Sequence, residues 1–258
     1  MKNFIICLFL IITSAPNLPA QADYKASLFG CMSDGVTLNT QSIQTAINTI
    51  SSRGGGMLHF YVGRYLTGTV FLKDNVTIIL HEGATLVGVP SVYDYAGPAG
   101  APKGIIVAEG QKNIGIAGST AERELNTNVT GNGIIQGQGA KVIENARKQI
   151  AKGYLDESPA QAAPALISFS GCSGVKITGL MLEDAAANAV TLTDCTDVET
   201  VRLLINNRQT PASAGIVIRR CENIAVIDNF IHVSGRAIQT FRSKNVKTKN
   251  NKTPEGKL

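Results

Sequence analysis

The chain has 258 residues, 26 of them glycine and none tryptophan, with a formal net charge of +5. That length allows one large elongated domain or two small ones, and a glycine-rich aliphatic composition suits many short strands joined by tight corners. The 24 lysines and arginines are scattered, with no basic block carrying interleaved aromatics, which argues against nucleic acid as a partner, while the sign of the charge suits an acidic polysaccharide.

Lys2 is followed by nine apolar residues, Phe4 to Ile12, too few for a spanning helix of about 20 residues, and Ala20-Gln21-Ala22 supplies a small-x-small cleavage pattern. Residues 1–22 therefore read as a signal peptide. The expected product is an exported protein, periplasmic or extracellular, with no membrane segment after cleavage and a mature chain beginning near Asp23. Cys7 leaves with the signal, and Cys31, Cys172, Cys195 and Cys221 remain. In an exported protein four cysteines allow two disulfides, but three of these occupy the same place in successive repeats and read instead as stacked small thiols. No Cys-x-x-Cys or paired histidine accompanies them, so neither metal nor cofactor is expected.

From Gln41 to Ser52 the apolar residues Ile43, Ala46, Ile47 and Ile50 form one helical stripe, with Asn39 or Thr40 as N-cap and Gly54-Gly55-Gly56 as terminator. Such a helix hides the open end of a solenoid. Strands follow at Met57–Phe60, Tyr65–Leu66, Thr69–Phe71, Val76–Leu80 and Ala84–Val87, separated by short polar corners. Residues 88–104 and 141–164 are excursions, the second with a short helix over Val142–Ala151 before Pro159 and Pro164 block continuation. Strand signals resume on both sides of each, so residues 23–258 read as a single domain.

Between Leu166 and Asn251 one phrase is written four times. Its anchors Val175, Val198, Ile224 and Val246 lie 23, 26 and 22 residues apart, and apolar residues alternate with polar ones between corners of Gly, Asn and Asp. A repeat of that length with strand periodicity predicts an all-β fold, a right-handed parallel β-helix in which each coil buries its apolar side on the next. The polar tail from Lys249 to Leu258 reads as frayed, leaving the last coil without an obvious cap.

Several segments in order carry a resemblance: Asp34-Gly-Val-Thr, the Ile43-Gln-Thr-Ala46-Ile47 helix, Gly63-Arg64-Tyr65-Leu66-Thr67-Gly68, Leu72-Lys73-Asp74-Asn75-Val76-Thr77, and Glu82-Gly83-Ala84-Thr85-Leu86. Gly131-Asn-Gly133-Ile-Ile-Gln-Gly137-Gln-Gly139 continues it, with Gln136 where the pattern has Asp. Together they resemble glycoside hydrolase family 28, the polygalacturonases and related pectin-degrading β-helices, over essentially the whole chain from Leu28. The resemblance implies a glycosidase acting on pectin-like polysaccharide, with an acidic polysaccharide or oligogalacturonide as partner.

Hydrolysis of a glycosidic bond needs two carboxyl groups, set roughly 6.5–9.5 Å apart in an inverting enzyme to admit water. The family's Asn-Thr-Asp-Gly-Ile segment falls at 212–216 and its Asp-Asp pair at 235–236. The three acid positions hold Ala214, Gly235 and Arg236, and no Asp or Glu occurs between Thr200 and Cys221 or between Phe230 and Lys252. No residue is therefore assigned as catalytic. After Arg236 only 22 residues remain, so the family's later histidine and Arg-x-Lys motifs fall beyond the chain, which reads as truncated at that end. Asp184, Asn188, Arg208, His232 and Arg236, with Ser213, lie nearest the cleft by register and are the candidate substrate-binding residues. Three further readings stay open: a non-catalytic acidic-polysaccharide-binding module, a β-eliminating lyase-like enzyme using Arg236, and a truncated relic. A relocated hydrolytic pair would be Asp184 and His232, two coils apart. The lyase reading would require a calcium-binding acid cluster that the sequence does not supply.

Overall fold

In the computed structural model, residues 22–98, 102–118, 133–210 and 213–258 are described. The expected leader, Gly131 and Asn132 of the glycine signature, and Pro211 and Ala212 lie outside them. Among the described residues three sheets run along the coil stack, with eight, nine and six strands, parallel throughout except for the last pair of the second. One coil visits the first sheet at Ser173–Thr178, the second at Met181–Glu183 and the third at Val190–Thr193. The next coil repeats this at Thr196–Val201, Leu204–Asn207 and Ile216–Arg219. Register places Val175, Val198, Ile224 and Val246 directly above one another, so the sequence anchors are true rungs. Ile167 and Phe169 of the third sheet, Ile177 of the first and Leu182 of the second point into one continuous buried cluster. The all-β right-handed parallel β-helix is as the repeat predicts, the hand being the one parallel crossovers adopt.

Corners are made by residues in the left-handed region, where Gly, Asn and Asp are tolerated best. Asn75, Asn113, Gly174, Asp197, Asn223 and Asn245 form one such column. Their side chains bond up the stack: Asn113 donates to Asn75 at 3.1 Å, Asn223 to Asp197 at 3.0 Å and Asn245 to Asn223 at 3.0 Å. At another corner Arg220 clamps Asp194 of the coil before it through Nε and Nη2, at 2.7 and 2.8 Å.

Cys31, Cys172, Cys195 and Cys221 are unpaired and buried. Cys172, Cys195 and Cys221 donate to the carbonyls of Ser170, Thr193 and Arg219 at 3.4, 3.3 and 3.2 Å. Ser243 continues the column, its hydroxyl donating to the Phe241 carbonyl at 3.0 Å and accepting the Cys221 N–H at 3.0 Å. The neighbouring Cys172 and burial push the Cys195 thiol up to about 11, so it stays protonated and acts as a packing group.

The N-terminal helix α1 spans Thr40–Ser52 and buries Ile43, Ala46, Ile47 and Ile50, as its stripe predicts. Asn39 is its N-cap residue but makes no side-chain cap, because its side chain instead bonds Met32 N–H and the Met32 and Thr37 carbonyls. Two strands precede or flank this helix without a sequence signal: Asp23–Lys25 pairs in the first sheet and Asp34–Leu38 in the second. Helix α2, Gly139–Ala151, begins three residues before the predicted segment. Pro159 does more than block continuation: it opens a short helix α3, Pro159–Ala162, behind a Ser158–Gln161 capping box, where a missing N–H costs nothing.

The frayed tail is a correction. Lys252–Thr253 pairs antiparallel with Gly256–Lys257, and Leu258 N–H donates to the Asn251 carbonyl at 3.0 Å. The turn at Pro254-Glu255 folds the chain back on the second sheet, and this hairpin covers part of that sheet's edge.

Candidate functional site

Positions 214, 235 and 236, which the resemblance aligns with the family acids, lie at the corner between the second and third sheets, where each coil leaves one strand and turns into the next. In the lower coil this corner is residues 184–189, in the next the described residues 208–210 and 213–215, and above them 234–237. The three levels are joined by backbone and side-chain bonds. Asn188 Oδ1 accepts the Ala214 N–H at 3.0 Å, Arg236 O accepts the Gly215 N–H at 3.2 Å, and Ser213 O accepts the Gly235 N–H at 2.9 Å. Ser213 donates its hydroxyl to the Asn207 carbonyl at 3.0 Å, and Ser234 donates to the Thr210 carbonyl. Thr210 in turn donates to the Ala185 carbonyl at 2.5 Å. Hydroxyls of the corner are thus committed to holding its backbone.

Ala214 is buried at 1 % exposure, whereas Gly235 and Arg236 are exposed. Ser213, Ala214, Gly215, Gly235 and Ala237 are small; the carboxylates beside this corner are Asp184, at its lower level, and Glu255 of the terminal hairpin, which lines one pocket with Gly235 and Arg236. Gly215 is the matched glycine of the family segment, and its role is close approach: a Cβ there would meet Ile231 and stand 2.5 Å from the Ala237 carbonyl oxygen. We expect Gly215→Ala to displace this corner and cost about 1–3 kcal/mol, read from the midpoint of urea unfolding. An unchanged midpoint would mean that the coils are not packed this tightly there.

Of the predicted residues, Asn188, Ser213, Ala214 and Arg236 come together. Arg208 is exposed on the turn after Asn207. His232 lies out on the second sheet, in register with Asn206 and, one strand further, Glu183. Asp184 follows Glu183, so it and His232 are two strands apart, roughly 9.6 Å by strand spacing alone. The structure does not join them as an acid and base pair. Asp184 sits in the left-handed region with one carboxylate oxygen buried and without a hydrogen-bond partner, and burial raises its pKa against the lowering effects of Gly139 and Lys141.

Sequence reasoning missed a polar line beside it. Arg64 donates to Gln136 at 2.7 Å, and Gln136 donates to Glu183 at 3.2 Å. Burial, then the Asp184 carboxylate, raises the pKa of Glu183, opposed by Arg64 and Gln136. The signal was present: Gln136 was already marked as the amide standing for the family's Asp, and its register with Glu183 follows once the coils are aligned. Among the described residues no cluster of three or more His, Cys, Asp or Glu side chains converges as a metal site would require.

Residues 102–257 match the family model of Glycosyl hydrolases family 28. The exo-poly-alpha-D-galacturonosidase of Dickeya chrysanthemi is 27% identical over 237 residues, covering 84% of this chain and 36% of that protein. This chain therefore spans little more than a third of that curated relative. A crystal structure from Parabacteroides merdae, provisionally assigned as a glycosyl hydrolase, is 41% identical with a TM-score of 0.81, covering 91% of this chain and 99% of that one. The family 28 exopolygalacturonase of Yersinia enterocolitica shares the fold at 19% identity and a TM-score of 0.72, covering 91% of this chain and 49% of its own. The three-sheet coil, its glycine-bearing corner and a family match over more than half of the sequence agree, and the chain belongs to glycosyl hydrolase family 28.

Proposed function

We infer that this protein is an exported family 28 member that recognises a pectin-like acidic polysaccharide at the corner between its second and third sheets without hydrolysing it by the family's two-carboxylate route. One observation carries the reading: the three acid positions are occupied by buried Ala214 and by exposed Gly235 and Arg236. A general acid and a water-activating base are both needed for inversion, and neither can be supplied by an alkyl group, a hydrogen or a guanidinium that stays protonated. The same replacement suits binding. Arg236 presents an exposed planar cation where a uronate carboxylate would lie, in a pocket shared with Gly235, Ala237 and the terminal hairpin. Export is read from the leader pattern and the substrate class from the family, including the galacturonosidase relative.

The test pairs turnover with binding on one preparation. Polygalacturonate should release no reducing ends above background and yield no unsaturated product, while calorimetry with oligogalacturonate should show binding. Arg236→Ala is expected to weaken that binding roughly tenfold, about 1.4 kcal/mol for one charge-assisted contact on an open face. Robust hydrolysis would overturn the reading, as would binding that ignores Arg236.

A further inference from the structure

The outer face of the first sheet carries a groove that the corner just described does not explain. It encloses about 960 Å³, and Asn113, Gly115, Lys176, Glu199, Ala225 and Lys247 are among the residues that line it. Gly115, Lys176, Glu199, Ala225 and Lys247 are consecutive partners in one outward-facing row, so the groove runs along the coil axis. Its depth comes from the missing bulk at Gly115 and Ala225. One rim is the asparagine column, where Asn113, Asn223 and Asn245 each spend one side-chain N–H on the residue below and have a second to offer.

Charge is unevenly matched along it. Lys176 faces Glu199 at 3.7 Å, and Asp197 accepts from Asn223 at 3.0 Å. At the other end, beyond Ala225, stands Lys247, and the next outward residue of the same exposed strand is Lys249. Among the described residues neither lysine is in an ion pair.

We propose that this groove is a second binding site, for an acidic oligosaccharide whose hydroxyls meet the asparagine amides and whose carboxylates meet Lys247 and Lys249. The ligand class rests on the polysaccharide reading above; the location does not. Amides arrayed at the strand spacing of about 4.8 Å, with a cation at the end of the row, form a surface for a hydroxylated polymer bearing acids. The site lies on a different sheet from Arg236, so the two contribute separately.

The test is calorimetry of the full chain with a size-defined oligogalacturonate, and with a neutral oligosaccharide of the same length. Wild type should bind the acidic ligand at two sites. Lys247→Glu with Lys249→Glu should weaken one of them roughly tenfold or more and remove its salt dependence, with the urea midpoint unchanged because both positions face solvent. Ala225→Phe fills the floor without altering charge and should remove the same site, while Arg236→Ala should leave it intact. One site only in wild type, abolished by Arg236→Ala, would overturn this proposal and leave the corner reading standing. Two sites that persist in both groove variants would also overturn it, as would equal affinity for the neutral ligand. Binding lost in the groove variants but untouched by Arg236→Ala would overturn the corner reading instead.

Discussion

Phe169→Ala is expected to destabilise the protein by about 3–5 kcal/mol, the cost of emptying a ring-sized space in a packed core. Phe169 is fully buried on the inner face of the third sheet, stacked between Ala108 of the preceding rung and Leu192 of the following one. Because Ala108 is small, the aromatic ring fills space that its own rung neighbour leaves, and alanine at both levels has nothing to collapse onto. The control is Phe241→Ala on the same sheet's outer face. That ring is 41 % exposed with the Arg219 guanidinium 4.5 Å from its centroid, a contact worth about 0.5–1 kcal/mol. Urea unfolding followed by circular dichroism should separate the two variants by several-fold in free energy. Equal losses would mean that the third sheet's inner face is not the core.

A second large effect is expected at Asn229, which is 2 % exposed and saturated with hydrogen bonds. Its side-chain oxygen accepts the Leu203 N–H at 2.8 Å, and its amide donates to the Thr200 carbonyl at 3.1 Å and to Asn251 at 2.9 Å. Asn229→Ala orphans buried groups at about 1–3 kcal/mol each, so a loss on the order of 3 kcal/mol is expected. Leu203 occupies the equivalent place one coil earlier and Leu180 the place before that, as their carbonyls accept Phe230 and Leu204 N–H groups in turn. Leucine therefore fits the volume, and Asn229→Leu tests whether volume or bonding matters. The bonding account expects leucine to recover little of the loss; recovery to wild-type stability would sink it.

Both effects place the stability of the coil in its interior, in the packed inner face of the third sheet and in the buried bonds of Asn229. Phe169, Leu182 and Ile177 hold the stack from inside, whereas Gly235 and Arg236 are exposed at a corner, and Ala214, though buried, lies outside the main apolar cluster. At Ala214 the corner is held through its backbone N–H, bonded to Asn188.

The rung anchors Val175, Val198, Ile224 and Val246 were legible because burial of one strand face imposes a period of two within a strand and a fixed repeat between coils. Helix α1 was legible for a related reason, its four-residue stripe being a local pattern. That Ala, Gly and Arg stand at 214, 235 and 236 was legible too, since residue identity needs no coordinates. The strands Asp23–Lys25 and Asp34–Leu38 were not: they are short, largely exposed, and strands only because a neighbouring rung offers them a ladder. The same holds for the terminal hairpin, whose polar residues gain structure from pairing and not from burial. What only the tertiary structure decided is which side chains meet across coils. Arg64, Gln136 and Glu183 are joined over 72 and 47 residues of sequence, and Gly115, Ala225 and Lys247 share one groove. Sequence fixes periodicity, which is set by local burial; proximity between coils depends on corner lengths that vary from rung to rung, and only the folded stack sums them.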